Sequence, residues 1–110
     1  MTLLNYVVNT GERMLAIEYG QDGTVVIAGR LDAAQAAAAL SFLDQVEGTV
    51  TLECSRLEYI SSAGLGVLLR TQKRLFASAG KIRLSGVQPH LMDIFVYSGL
   101  DQLFEIEPAC

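Results

Sequence analysis

Two adjacent serines, Ser61 and Ser62, are the residues of this 110-residue chain best placed for chemistry. They stand between an apolar stretch ending at Ile60 and the run Ala63-Gly64-Leu65-Gly66-Val67-Leu68-Leu69, where apolar residues begin to recur at helical spacing. A serine at a helix start has an ordinary task. Its hydroxyl accepts a hydrogen bond from a backbone N–H of the first turn, one of the donors that every helix start leaves open. Gly64 and Gly66 point to something more, because each glycine weakens a helix by about 0.5–1 kcal/mol relative to alanine. Glycines here leave the backbone bare around Ser62, so a large partner surface can approach that hydroxyl closely. Other chemistries find little support. His90 is the only histidine, which argues against a Ser-His pair and against metal sites. Cys54 and Cys110 lack the paired Cys/His spacing of zinc sites. Gly64-x-Gly66 is a common spacing, and no Gly-Lys-Ser/Thr follows it, so nucleotide binding or an enzyme is a weak reading.

The stretch Ile60-Ser61-Ser62-Ala63-Gly64-Leu65-Gly66-Val67-Leu68-Leu69 resembles the signature of the STAS domain as found in anti-sigma-factor antagonists. In that family the commonest loop reads Asp-Ser-Ser/Thr-Gly-Leu-Gly, and the first serine after the aspartate is phosphorylated. Laid over this chain, the family's aspartate falls on Ser61, its phospho-acceptor on Ser62, its next hydroxyl residue on Ala63 and its glycine on Gly64. Ser61 and Ala63 thus depart from the commonest wording, although Ser-Ser-Ala-Gly-Leu is itself a family variant. Ser61 also offers a second, less favoured acceptor. Gly29-Arg30-Leu31-Asp32 is a further likeness, since an aspartate at this place in the family lies near the phospho-acceptor.

The resemblance implies a fold and a function. The fold is α/β: a STAS-like domain spanning residues 1–110, with a mixed central sheet of four to five strands, mainly parallel βαβ units and about four helices. Its family-like core covers about residues 14–106, and residues 1–10 form an extension that offers an edge strand. The implied function is a phosphorylation-switched contact made by Asp32, Ser61, Ser62, Ala63, Gly64 and Gly66. The implied partner is an anti-sigma factor of the histidine-kinase-like ATPase fold, whose capture frees a sigma factor. That partner phosphorylates Ser62 with ATP and Mg²⁺, and a PP2C-type phosphatase reverses the step; the domain itself needs no cofactor. The alternative from another class is a constitutive STAS scaffold or partner subunit, in a signalling or lipid-transport assembly, with Ser62 only a helix cap.

Composition agrees with a folded binding module. A hydrophobic fraction of 51% against 18% charged residues belongs to a chain that buries one core. The net charge of −4 makes direct nucleic-acid contact unfavourable, because neutralising phosphates needs clustered Lys and Arg. With no apolar run near the ~20 residues that span a bilayer and no secretory signal, a cytoplasmic location without membrane insertion is expected. Charge is also unevenly spread. Residues 1–54 hold two basic and seven acidic side chains, residues 55–86 hold six basic and one acidic, and residues 87–110 hold four acidic and none basic. The serine pair therefore lies in the one positive part of the chain, with Arg70 and Arg74 expected on a solvated helix face.

The elements that must position the serines follow from pattern. Residues 3–9 are β-rich, Asn9-Thr10-Gly11 reads as a turn, and Met14–Tyr19 with Thr24–Ile27 flank the hairpin signal Gly20-Gln21-Asp22-Gly23. Asp32 is a preferred N-cap before the alanine-rich run that continues through Leu43 and Val46, and Gly48 reads as its stop. Thr49–Cys54 is a second β-branched strand, so a parallel pair with a right-handed crossover is expected. The loops leaving the carboxyl ends of two such strands share one rim, which sets Asp32 beside Ser61 and Ser62. A helix over Ser62–Ala79 takes Leu65, Leu68, Leu69, Leu75, Phe76 and Ala79 as its core face. The strand Lys81–Leu84 follows, then a helix opened by Pro89 with Leu91, Met92, Ile94, Phe95 and Val96 inward. A helical turn at Leu100–Phe104 and a strand at Phe104–Ile106 end the chain, Cys54 is expected as a core thiol, and His90 is expected at the surface.

Overall fold

A computed structural model describes residues 6–10 and 13–109 of the chain, with side chains from Leu15 to Ala109. The elements in order are β1 (Tyr6–Thr10), β2 (Arg13–Tyr19), β3 (Thr24–Leu31), α1 (Ala36–Leu43), β4 (Thr49–Ile60), α2 (Ser62–Phe76), β5 (Lys81–Val87), α3 (Pro89–Ser98), a 3-10 turn at Leu100–Gln102, and β6 (Glu105–Pro108). The strands form one six-stranded sheet whose spatial order is the chain order. β1, β2 and β3 pair antiparallel, and β3 to β6 pair parallel.

That order has a simple consequence. Each of the three crossovers β3-α1-β4, β4-α2-β5 and β5-α3-β6 moves one strand further in the same direction. Crossovers of the usual right hand then all fall on one face of the sheet. Burial agrees: Val25, Ile27, Val50, Leu52, Cys54, Ile82 and Leu84 are buried beneath the helices, while their neighbours Thr24, Val26, Thr51, Glu53, Arg83 and Ser85 are half-exposed or exposed. The core is thus a single layer between sheet and helices, closed by Phe42, Leu43, Leu68, Leu75, Leu91 and Phe95.

The sheet has six strands rather than four to five, because both weakly patterned ends pair. β1 realises the expected edge strand, and residues 3–5 lie outside the described residues. Asn9 and Thr10, expected in a turn, still pair with Met14 and Arg13, while Gly11 is outside the described residues. The Gly20–Gly23 hairpin forms as expected, with Asp22 and Gly23 both at positive φ. Three α-helices and the 3-10 turn stand where about four helices were expected.

Three boundaries differ for physical reasons. Helix α1 starts at Ala36, not after Asp32, because Asp32 makes a turn of its own: its Oδ1 accepts from the Ala34 N–H (3.1 Å) and from Gln35 Nε2 (2.9 Å). The helix also ends at Leu43, where Arg74 Nη2 donates to the Leu43 and Val46 carbonyls at 2.8 and 2.7 Å. Arg74 is therefore a fastener between α1 and α2 and not part of a solvated face, whereas Arg70 is exposed. β4 runs on to Ile60 instead of stopping at Cys54. Register shifts against β3 put both Ser55 and Arg56 outward, which interrupts the alternation that marks a strand in sequence.

Some expected core positions face water. Phe76 and Val96 are 59% and 56% exposed, and Ala79 is exposed at φ +67° in the turn that follows α2. Gly80 closes that turn against Gly48. A Cβ on Gly80 would lie 2.1 Å from the Gly48 carbonyl oxygen. His90 is exposed, and its Nε2 lies 2.8 Å from the Glu58 carbonyl oxygen, to which a protonated Nε2 donates.

Two outcomes test this packing. Gly80→Ala forces backbone apart and should lower unfolding free energy by about 1–3 kcal/mol in urea titrations; an unchanged midpoint would contradict the contact. Burial, aided by the nearby Glu53 carboxylate, pushes the Cys54 thiol up to about 12. At pH 8 it should resist alkylation in the folded chain and react in denaturant, read by peptide mass mapping.

Candidate functional site

Ser61 and Ser62 divide the work that the sequence left undivided. Ser61 is the N-cap of α2, extended at φ −96° and ψ 176°, and its Oγ accepts from the Gly64 N–H at 3.2 Å. Its carbonyl takes the first intrahelical bond from the Leu65 N–H at 2.9 Å. Ser62 is the first helical residue and is exposed, so it is not the cap. Its hydroxyl is left at the positive end of a 15-residue helix.

The loop is pinned to its neighbour by one bond. The Ser61 N–H donates to the Leu31 carbonyl at 3.0 Å, and Leu31 pairs with Ile60 at the ends of β3 and β4. Asp32 follows Leu31 directly, so its loop and the serine loop lie side by side on one rim. Asp32 is only 8% exposed, and its Oδ2 lies 3.8 Å from Arg30 Nε. Its carboxylate shapes the loop and supplies charge at the rim more than it offers a surface to touch.

The two glycines have separate reasons. A Cβ on Gly64 would lie 2.5 Å from the Leu31 carbonyl oxygen and 2.8 Å from Ile60 Cγ1. Gly64 is therefore buried and demanded by the close approach of α2 to the strand ends. This corrects the expectation that it bares the backbone for a partner. Gly66 has nothing within 4 Å of an added Cβ, so no packing contact in the fold requires a glycine there. Of the six residues expected at the contact, Ser62 is exposed, Ser61, Ala63 and Gly66 are half-exposed, and Asp32 and Gly64 are buried.

Two residues of the rim were not singled out from sequence. The Arg30 guanidinium lies 4.3 Å from the centre of the Tyr59 ring, and Arg30 and Tyr59 are register partners on β3 and β4. The two-residue step from Tyr59 to Ser61 was the available signal, but it becomes readable only once β4 is known to reach Ile60. Among the described residues there is no group of three or more His, Cys, Asp or Glu placed to hold a metal ion. No helix there is long and apolar enough to cross a membrane.

A family model described as Mlab, STAS domain matches residues 16–106, which hold both rim loops. The chain belongs to the STAS domain family. A Bordetella bronchiseptica protein named putative anti-sigma factor antagonist BtrV is 39% identical over 64 residues, which are 58% of this chain and 55% of BtrV. The aligned stretch thus spans about half of that relative's length. Among solved structures, the anti-sigma factor antagonist SpoIIAA in its unphosphorylated form superposes with a TM-score of 0.64 at 23% identity, covering 87% of this chain and 89% of that one. The Bacillus SpoIIAA in its phosphorylated form gives 0.56 at 27% identity, covering 84% and 89%. A sulfate transporter family protein from Wolinella succinogenes gives 0.66 at 20% identity, covering 77% and 75%. The STAS fold is therefore shared by proteins with different tasks, and the rim must decide among them.

The division between caps and glycines is testable by stability alone. Ser61→Ala should lose about 1 kcal/mol with the cap, while Ser62→Ala should stay within about 0.5 kcal/mol. Gly64→Ala should lose about 1–3 kcal/mol through overpacking, and Gly66→Ala should gain about 0.5–1 kcal/mol through helix propensity. Chemical denaturation of the four variants checks the order; equal effects at 64 and 66 would contradict it.

Proposed function

We propose that this STAS domain is an anti-sigma-factor antagonist whose contact with its partner is switched by phosphorylation of Ser62. The observation that carries the reading is the exposed Ser62 hydroxyl on the first turn of α2, relieved of capping by Ser61 and next to the Asp32 loop. The names of BtrV and SpoIIAA, and SpoIIAA's having a phosphorylated form, support it.

The physics of the switch is local. A phosphoserine carries about −1.5 to −2 charges near neutral pH, and a helix N-terminus tolerates them. The domain stays folded when modified. The penalty falls on the complex, where added charge and bulk meet a surface fitted to a bare hydroxyl, and the Asp32 carboxylate on the same rim adds repulsion. In this reading the partner is an anti-sigma factor of the histidine-kinase-like ATPase fold, which supplies ATP and Mg²⁺ for the transfer. The γ-phosphoryl group passes to Ser62 Oγ, ADP leaves, and the hydroxyl proton is taken up by a base of the partner or by solvent. A PP2C-type phosphatase returns the serine. Ser61 is the poorer acceptor because its oxygen is engaged with the Gly64 N–H.

A second reading has an observation of its own. The family model carries the Mlab description, and a transporter family protein shares the fold, so a constitutive scaffold with no phosphate control is the alternative. Here Ser62 would only be part of a contact surface.

Binding by three forms separates the two. With the unmodified chain, Ser62→Ala and Ser62→Asp as baits in extract of the native host, the switch predicts one ATPase-fold protein retained by the first two and lost at least about tenfold on the third, a difference of ~1.4 kcal/mol. Equal retention by all three favours the scaffold. Incubation of the retained protein with ATP and Mg²⁺ should then add one phosphate to the Ser62 peptide by mass spectrometry, and none to the Ser61 hydroxyl.

A further inference from the structure

The two outer strands of the sheet are built differently. The strand order places β1 at one edge and β6 at the other. An outer strand offers a row of unpaired N–H and C=O groups to any strand that comes alongside, and chains that must stay single blunt it with charges, proline or a bulge. β6 has all three: it carries Glu105 and Glu107, ends in Pro108, and its register against β5 shifts between Leu84 and Val87. β1 has none. Tyr6-Val7-Val8-Asn9-Thr10 contains no charge and no proline, and its five residues pair with β2 in unbroken register, from Tyr6 opposite Ile17 to Thr10 opposite Arg13. The first charged side chain in the sequence is Glu12. Among the described residues, no strand lies on the outer side of β1.

The helix beside this edge is equally bare. α1 lies against β1, and Ala36-Ala37-Ala38-Ala39-Leu40-Ser41-Phe42-Leu43 has no charged residue. Ala37 and Ser41 are exposed, and Ala36, Ala38 and Leu40 are half-exposed. In a chain of net charge −4, where any two copies repel, neither β1 nor α1 adds a charge to the contact. Size matters as well. Paired strands lie only about 4.7–4.9 Å apart, so a second sheet joined at β1 brings its own helix close, and long side chains on α1 would hold the two apart.

We propose that two copies of this chain join edge to edge through β1, antiparallel about a two-fold axis, so that their sheets become one. Pairing that uses all five residues of each strand is centred on Val8, with Val7 of one copy opposite Asn9 of the other and Tyr6 opposite Thr10. A second copy suits this edge better than a lone peptide or a strand of another protein, for two reasons. It sets one uncharged α1 beside another, and it closes the assembly, because both outer strands of the joined sheet are then the blunted β6. The pairing uses no residue of the serine rim and does not rest on phosphorylation of Ser62.

Sedimentation equilibrium of the 110-residue chain should show a concentration-dependent dimer. Val7 and Asn9 are the positions to change, since the β2 partner of Val7 is the half-exposed Ala16. Val7→Glu with Asn9→Glu sets like charges opposite each other twice across the axis and should raise the dissociation constant at least about tenfold. Val7→Glu with Asn9→Lys sets opposite charges in the same places and should recover most of that loss. A general disturbance of β1 would weaken both double variants alike, so the difference between them reports the register. Equal weakening by both, a dimer that neither disturbs, or a chain that remains monomeric to about 1 mM overturns the proposal. So does slowed amide exchange in β1 that appears only on adding the ATPase-fold protein of the binding experiment, which would give the edge to that partner instead.

Discussion

Helix α2 reaches the sheet rim because Gly64 has no side chain. The first turn of α2 sits directly on Leu31 and Ile60, at a distance no other residue would permit. The Ser61 N–H to Leu31 carbonyl bond and the Ser61 cap on the Gly64 N–H both need that closeness. Three constraints are therefore met at one point: a helix start is capped, two strand ends are joined to it, and the next residue is left outside. Ser62 is exposed as a result of how Ser61 and Gly64 are engaged.

The single-faced layering gives the rim its setting. With three helices on one side of the sheet, the loops at the carboxyl ends of β3 and β4 are crowded by α1 and α2 only from the helical side. The other side of the same strands carries Arg30 and Tyr59 as a stacked pair. The rim around Ser62 thus has helix backbone on one side and a cation over an aromatic ring on the other. Arg74 and Gln72 hold the layer together from within. Arg74 caps the carboxyl end of α1, and Gln72 accepts the Ile82 N–H at 2.7 Å while donating to Leu103, so α2 is tied to β5 and to the approach of β6.

Charge follows the same geography. Lys81 and Arg83 both meet Glu105, whose carboxyl is held below its usual range by the hydrogen bond from Lys81 and secondarily by Arg83. Two of the six cations in residues 55–86 are thereby used across β5 and β6, and Arg74 is used on α1. On α2, Arg70 and Lys73 remain exposed. The positive segment noted in the sequence thus presents less free charge than its count implies, and that charge lies down the helix from Ser62.

Local chemistry alone determined a good deal here. The hairpin at Gly20–Gly23, the strand-helix-strand order around α1, the opening of α3 by Pro89 and the serine-glycine stretch of the STAS family are all written in short-range pattern, because turn residues, helix formers and β-branched runs act over a few positions. Other features needed the folded chain. The extension of β4 to Ile60 depends on register shifts against β3, and the shortening of α1 depends on Asp32 closing its own turn and on Arg74 from another helix. Which serine is the cap and which glycine is buried were decided by the distance from α2 to Leu31, a contact between residues more than thirty positions apart in sequence. Sequence pattern reports what a residue prefers; only tertiary packing decides which of two neighbouring residues is engaged and which is left free, because that choice is made by atoms the local pattern does not contain.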